Sequence, residues 1–150
     1  MTAVTINRRQ AVRAAAGVAA GTVLVAGAGA GSASASSSDL LGSWLVHHED
    51  ENGDKGLSVA SFIADGVFVS NDIRPAGGVG TGSWEDKGDD KFKLTSWVGY
   101  PADDTSVKIE AWGKLEDGKV SGRFEVTAYD SDGNEVGGAK GTFEGEPLEA

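Results

Sequence analysis

His47-His48 is the one pair of imidazoles in the chain. Neighbouring side chains on a strand point to opposite faces, so the two cannot chelate one metal together. If Trp44 faces inward, alternation carries Val46 and His48 inward too and sends His47 out. His48 is therefore the candidate catalytic residue, a general acid or base that needs a carboxylate or a substrate within about 3 Å. Trp44, Phe62, Trp84, Phe92 and Phe124 fall on the same inward faces. With His48 they form the candidate ligand-binding set. They serve either as packed core or as walls for a small apolar molecule, and the sequence leaves both open. Trp97 and Trp112 fall on ambiguous or outward faces, a candidate apolar patch for self-association as a homodimer.

Other chemistries find little support. The stretches 50–54 and 130–135 echo calcium-loop spacing, but neither has both the glycine and the bidentate glutamate such a loop requires, so turn chemistry is the expectation, with weak calcium binding outside the cell as the alternative. With no cysteine, no disulfide and no thiolate zinc site can form. There is no G-x-S-x-G elbow, phosphate loop or dinucleotide fingerprint. No serine stands beside a histidine and a carboxylate in a recognisable nucleophile setting. The expectation is no metal and no cofactor.

Charge narrows the partners. All 23 acidic residues lie at or after Asp39, while three of the 13 basic ones (Arg8, Arg9, Arg13) precede it. The chain from Asp39 onward therefore carries ten basic against 23 acidic residues, a formal −13. Phosphate contacts need a basic face, so nucleic acid is disfavoured, as is an anionic membrane surface.

The first residues read as an address. A basic stretch to Arg13 precedes an uncharged Ala/Val/Gly/Leu run over 14–30, then small residues ending in Ala33-Ser34-Ala35. That is the build of an export signal over 1–35 with cleavage after Ala35, followed by a linker over 36–39. The run is short and glycine-rich for a stable membrane anchor. Asn7-Arg8-Arg9-Gln10-Ala11-Val12-Arg13 resembles a twin-arginine signal. The resemblance implies export of the folded protein by that machinery and a secreted location.

From Leu40 onward, short alternating segments are separated by turn signals. Strands are expected over 42–49, 56–64 and 67–71, two more within 80–96, then over 106–115, 119–129 and 135–143. A polar loop over 50–56, a looser stretch over 73–78, a loop over 98–105 and a tail over 145–150 fall between or after them. Asp65-Gly66, Asp117-Gly118 and Asp132-Gly133 each read as a two-residue hairpin turn, because both positions favour positive φ. Strict alternation means one face buried and one wet. About eight strands suffice to close a barrel whose interior is filled by side chains or holds one small ligand. The expected fold is all-β, an eight-stranded closed antiparallel barrel over 40–145, with a two-sheet sandwich as the alternative.

Gly42-Ser43-Trp44 on the first strand resembles the G-x-W signature of lipocalins and their calycin relatives. The wider series is Phe62 before Asp65-Gly66, Gly82-Ser83-Trp84, Phe92, Gly122-Arg123-Phe124 before the 129–134 turn, and Gly141-Thr142-Phe143. It is similar to a group of small bacterial lipocalin-like proteins. The resemblance implies a closed barrel, in outline also like the allene oxide cyclase and dirigent barrels. It further implies a basic residue near the end of the last strand packed over the first-strand Trp, a part only Lys140 could take. Three functions follow as expectations: binding a small apolar molecule, cofactor-free cyclase or isomerase chemistry in the interior, or interaction through a solidly packed barrel.

Overall fold

The computed structural model describes residues 39–74, 77–100 and 104–149. The expected signal sequence lies outside them. Eight antiparallel strands form one closed barrel: β1 (Gly42–Asp50), β2 (Lys55–Ile63), β3 (Val67–Arg74), β4 (Val79–Gly88), β5 (Lys91–Tyr100), β6 (Thr105–Glu116), β7 (Lys119–Tyr129) and β8 (Glu135–Pro147). Closure comes from β1 pairing with β8, from Trp44 opposite Pro147 to Asp50 opposite Gly141. That pairing excludes the sandwich and leaves no edge strand for another chain to join.

Turn chemistry sets the hairpins at one end. Asp117 and Gly118 take φ of 52° and 74° in the expected two-residue turn between β6 and β7, where Glu116 pairs with Lys119. Between β2 and β3 the pairing of Ile63 with Val67 makes a three-residue turn instead, Ala64–Gly66, in which Asp65 and Gly66 take 63° and 77°. The turn at 130–134 differs. Only Gly133 is left-handed there, and the Asp130 carboxylate organises the loop by accepting from the backbone N–H of Asp132 at 3.0 Å and of Asn134 at 2.8 Å. Three strands also run further than their hydropathy indicates. β3 continues through Asp72 to Arg74, β5 through Val98 to Tyr100, and β8 to Pro147.

The interior holds two clusters. One contains Leu40, Trp44, Phe62, Phe68, Trp84, Phe92 and Leu94; the other contains Val98, Tyr100, Val107, Val126 and Ala128. Leu40 plugs the first end, and its carbonyl accepts from Trp44 Nε1 at 3.0 Å. Trp84 Nε1 likewise donates to the Ile63 carbonyl at 2.9 Å. Both indoles thus bury their rings with their one donor satisfied. Lys140 does not cover Trp44. Its exposed ammonium pairs with Glu125 at 3.1 Å, and its carbonyl accepts from Glu51 beside the β1–β2 loop.

Aromatic rings lie directly over inward-facing glycines. A Cβ on Gly113 would stand 2.4 Å from Phe92 Cζ, and one on Gly141 would stand 2.5 Å from Phe124 Cζ. The missing side chains are what let the rings lie flat against the wall.

Candidate site: a cavity with a polar end

Between the two clusters lies a cavity of about 100 Å³. Phe62, Phe68, Phe92, Phe124, Phe143, Leu94 and Val120 supply most of its wall. His48, Ser58, Ser70, Asp72 and Ser96 bring polar atoms to the same wall. Of the residues singled out from sequence, His48, Phe62, Phe92 and Phe124 line the cavity. Trp44 and Trp84 are buried in the cluster at the Leu40 end and are not part of the wall. Phe62 ties the two groups together, with ring centroids 5.6 Å from Trp84, 5.0 Å from Phe92 and 5.2 Å from Phe68, all edge-to-face.

His48 stands inward on β1 with its ring edge-on to Phe124, centroids 6.1 Å apart. Opposite it on β2 is Gly56, where a Cβ would come within 2.1 Å of His48 Cε1. Glycine there is what admits the imidazole. His48 Nε2 shares a 3.2 Å hydrogen bond with Ser58 Oγ, and Ser58 donates to Asp72 Oδ1. Register explains the contact, because Ser58 on β2 faces Asp72 on β3 directly. With Asp72 ionised, the single Ser58 proton is committed to it, so His48 Nε2–H is the donor to Ser58. With Asp72 protonated, the chain can run the other way.

Burial pushes the Asp72 carboxyl up to about 7, against the smaller opposing effect of the Ser58 hydrogen bond. Burial also lowers the His48 pKa, assisted by His47 and opposed by Asp50. Burial raises the Tyr100 phenol, and the nearby Asp72 charge adds to that. Both ends of the relay are therefore held toward their neutral forms. Serine stands in the middle here, unlike a nucleophilic triad, where histidine does.

Sequence reasoning missed Phe68, Leu94 and Phe143 of the apolar wall and, at the polar end, Ser58, Ser70, Asp72 and Ser96, and with them the setting of a serine between a histidine and a carboxylate. The available signal was period 2. Phe68, Ser70 and Asp72 share one face of β3, and Phe92, Leu94 and Ser96 share one face of β5. A strand over 67–71 stops one residue short of Asp72, which β3 includes.

Trp112 is half-buried between the Lys93 ammonium, 5.6 Å from its ring, and the Arg123 guanidinium, 5.0 Å away. Trp97 is 48% exposed and packs on Tyr129, centroids 5.3 Å apart. Among the described residues no three His, Asp or Glu side chains converge as metal ligands. The Asp50 carboxylate accepts from the backbone of Asn52 and Asp54 at 2.8 and 2.9 Å, which makes it a turn organiser.

No protein-family model matches the sequence, and no curated protein matches it. Among solved structures the chain is similar to EF1p2_mFAP2b, seen bound to DFHBI, with 18% identity, a TM-score of 0.56, and coverage of 75% of this chain and 97% of that one. The redesigned beta barrel mFAP1, also bound to DFHBI, gives 22% identity, a TM-score of 0.45, and coverage of 74% and 99%. A third, the redesigned beta barrel b11L5F_LGL, gives 22% identity, a TM-score of 0.40, and coverage of 76% and 96%. At these identities the first likeness establishes that the two chains share a fold.

Proposed function

We propose that the protein binds a small, largely apolar molecule inside the barrel. The observation that carries this reading is the cavity of about 100 Å³ between the core clusters. Protein interiors pack densely and leave few voids larger than a water molecule. A hole of about 150 Å³ lined by aliphatic and aromatic side chains takes up benzene, so this one scales to roughly four or five non-hydrogen atoms. Phe62, Phe92 and Phe124 are walls, His48 belongs to the polar end, and Trp84, behind the wall, packs edge-to-face on Phe62. The similar barrel EF1p2_mFAP2b is bound to DFHBI, which supports the reading at the level of architecture. The resemblance to lipocalin-like proteins and the twin-arginine pattern at Arg8-Arg9 support a reading in which this binding happens outside the cell. Replacing both arginines by lysine and following export tests that part.

Titration with isopentane, a five-carbon probe, tests the cavity. Bound ligand raises the melting temperature by mass action. A melting temperature unmoved at saturating isopentane would remove the reading.

A second reading is favoured by the His48–Ser58–Asp72 chain. A carboxyl pushed up to about 7 and joined through Ser58 to a histidine suits proton transfer, so the interior could act as a cofactor-free isomerase with Asp72 and His48 exchanging protons through Ser58. Turnover of a bound substrate that survived both His48→Ala and Asp72→Asn would dismiss it.

A further inference from the structure

We propose that the polar end of the cavity is a subsite for one hydrogen-bond-donating head group, a hydroxyl or an amine, held by Asp72 Oδ2 and Ser96 Oγ, and that it rejects carboxylates. This rests on the cavity being the ligand site proposed above. Asp72 is 6% exposed and Ser96 1%, and both line the cavity. Asp72 Oδ2 and Ser96 Oγ are the buried side-chain atoms without a hydrogen-bond partner among the described residues. Native proteins pair nearly all such atoms, so two on one wall mark a place where a partner is supplied from outside the chain.

Both face the same cavity, Ser96 in the row of Phe68 and Gly82 and Asp72 four residues further along β3. Asp72 lies on β3 and Ser96 on β5, with β4 between them. Along that stretch β4 offers only Gly80 and Gly82 to the interior, opposite Ser70 and Ser96 respectively. No side chain from β4 covers the gap. A Cβ on Gly82 would sit 2.0 Å from the Thr95 carbonyl, so no larger residue fits there without movement.

A hydroxyl reaching both atoms would donate its proton to Asp72 Oδ2 and accept the Ser96 proton. An amine donates to both. The other Asp72 oxygen is already taken by Ser58, so the subsite has room for one head group. Among the cavity-lining residues there is no lysine or arginine, and burial holds His48 toward its uncharged form. An incoming carboxylate would face Asp72 with no cation to offset either charge.

The experiment uses five probes with one isobutyl body: isopentane, isobutanol, isobutylamine, isovalerate and isovaleramide, titrated calorimetrically at pH 8. A purely apolar hole prefers isopentane. The subsite predicts that isobutanol or isobutylamine binds at least tenfold tighter than isopentane, and that isovalerate binds at least tenfold weaker than isovaleramide, its neutral counterpart of the same size, titrated beside it. The tighter of the two donors names the head group. The variant Ser96→Ala, which removes a single oxygen, is expected to erase most of the preference for isobutanol, and Asp72→Leu to invert it. If isopentane binds and the donors gain nothing, or isovalerate binds as tightly as isovaleramide, the head-group subsite is refuted while the cavity stands. If none of the five binds, both are refuted.

Discussion

Ser58 donates its hydroxyl proton to Asp72 Oδ1 across the β2–β3 pair, where the two residues stand opposite each other in register. That contact fixes one carboxylate oxygen and turns the other toward the cavity. It also brings His48 into the same chain, because Ser58 bonds both His48 on β1 and Asp72 on β3. A polar relay inside an apolar barrel does not favour folding by itself. Such groups generally persist where function needs them.

Asp72 should therefore weaken the fold at neutral pH. Its pKa rises from 3.8 in the unfolded chain to about 7 in the barrel, so between those values the folded state binds more protons. Stability contributed by this group falls as pH rises through that window, by about 4 kcal/mol in total once pH exceeds 7. Asp72→Asn is expected to be more resistant to urea than the parent at pH 8, with the difference shrinking toward zero near pH 4. His48 acts in the opposite sense. Its lowered pKa means stability is present above 6.5 and is lost as pH falls through the depressed value. Equal urea midpoints for parent and Asp72→Asn at pH 8 would contradict the assignment.

Gly56→Ala should displace His48. The new Cβ would sit 2.1 Å from Cε1, so the imidazole must swing away from Ser58. Freed toward solvent, it is expected to titrate closer to 6.5 than in the parent. Nitrogen-15 NMR of the ring across pH 4–8 measures this, and an unchanged His48 titration would show that the ring had never been confined.

Phe62→Ala is expected to cost roughly 3–5 kcal/mol, as buried aromatic truncations do. Phe62 is 3% exposed and meets Phe68, Trp84 and Phe92 edge-to-face, so no single neighbour can refill the space. The urea midpoint should fall with little change in slope. A loss under 1 kcal/mol would mean that the surrounding rings repack.

Much of this barrel was legible in the sequence, for a physical reason. Period-2 alternation in 119–129 and the Asp-Gly pairs at 65–66 and 117–118 are local signals, and local geometry decided those elements. The inward placing of His48 followed from Trp44 by the same counting. The polar end was hidden because its residues break the pattern that reveals a strand. Asp72 reads as loop because a buried carboxylate is rare, and only its cross-strand partner Ser58 makes it tolerable. The Asp132-Gly133 turn misled for a related reason, since the Asp130 side chain substitutes for the backbone turn expected two residues later.

Asp50→Ala should loosen the β1–β2 loop without emptying the core. Asp50 is 8% exposed and accepts from two backbone N–H groups. Removing it leaves those donors without their partner, at roughly 1–3 kcal/mol. Amide exchange is expected to accelerate at Asn52 and Asp54 and stay slow at Val98 and Val107. Unchanged exchange at both loop amides would show that the carboxylate is dispensable.

The interior as a ligand site is tested most directly by carbon-13 NMR of the aromatic rings during titration with isopentane. The account predicts saturable shifts at Phe62, Phe92 and Phe124, with Trp97 on the outer surface unmoved. Shifts confined to Trp97 and Tyr129, or no shifts at the three phenylalanines, would contradict it.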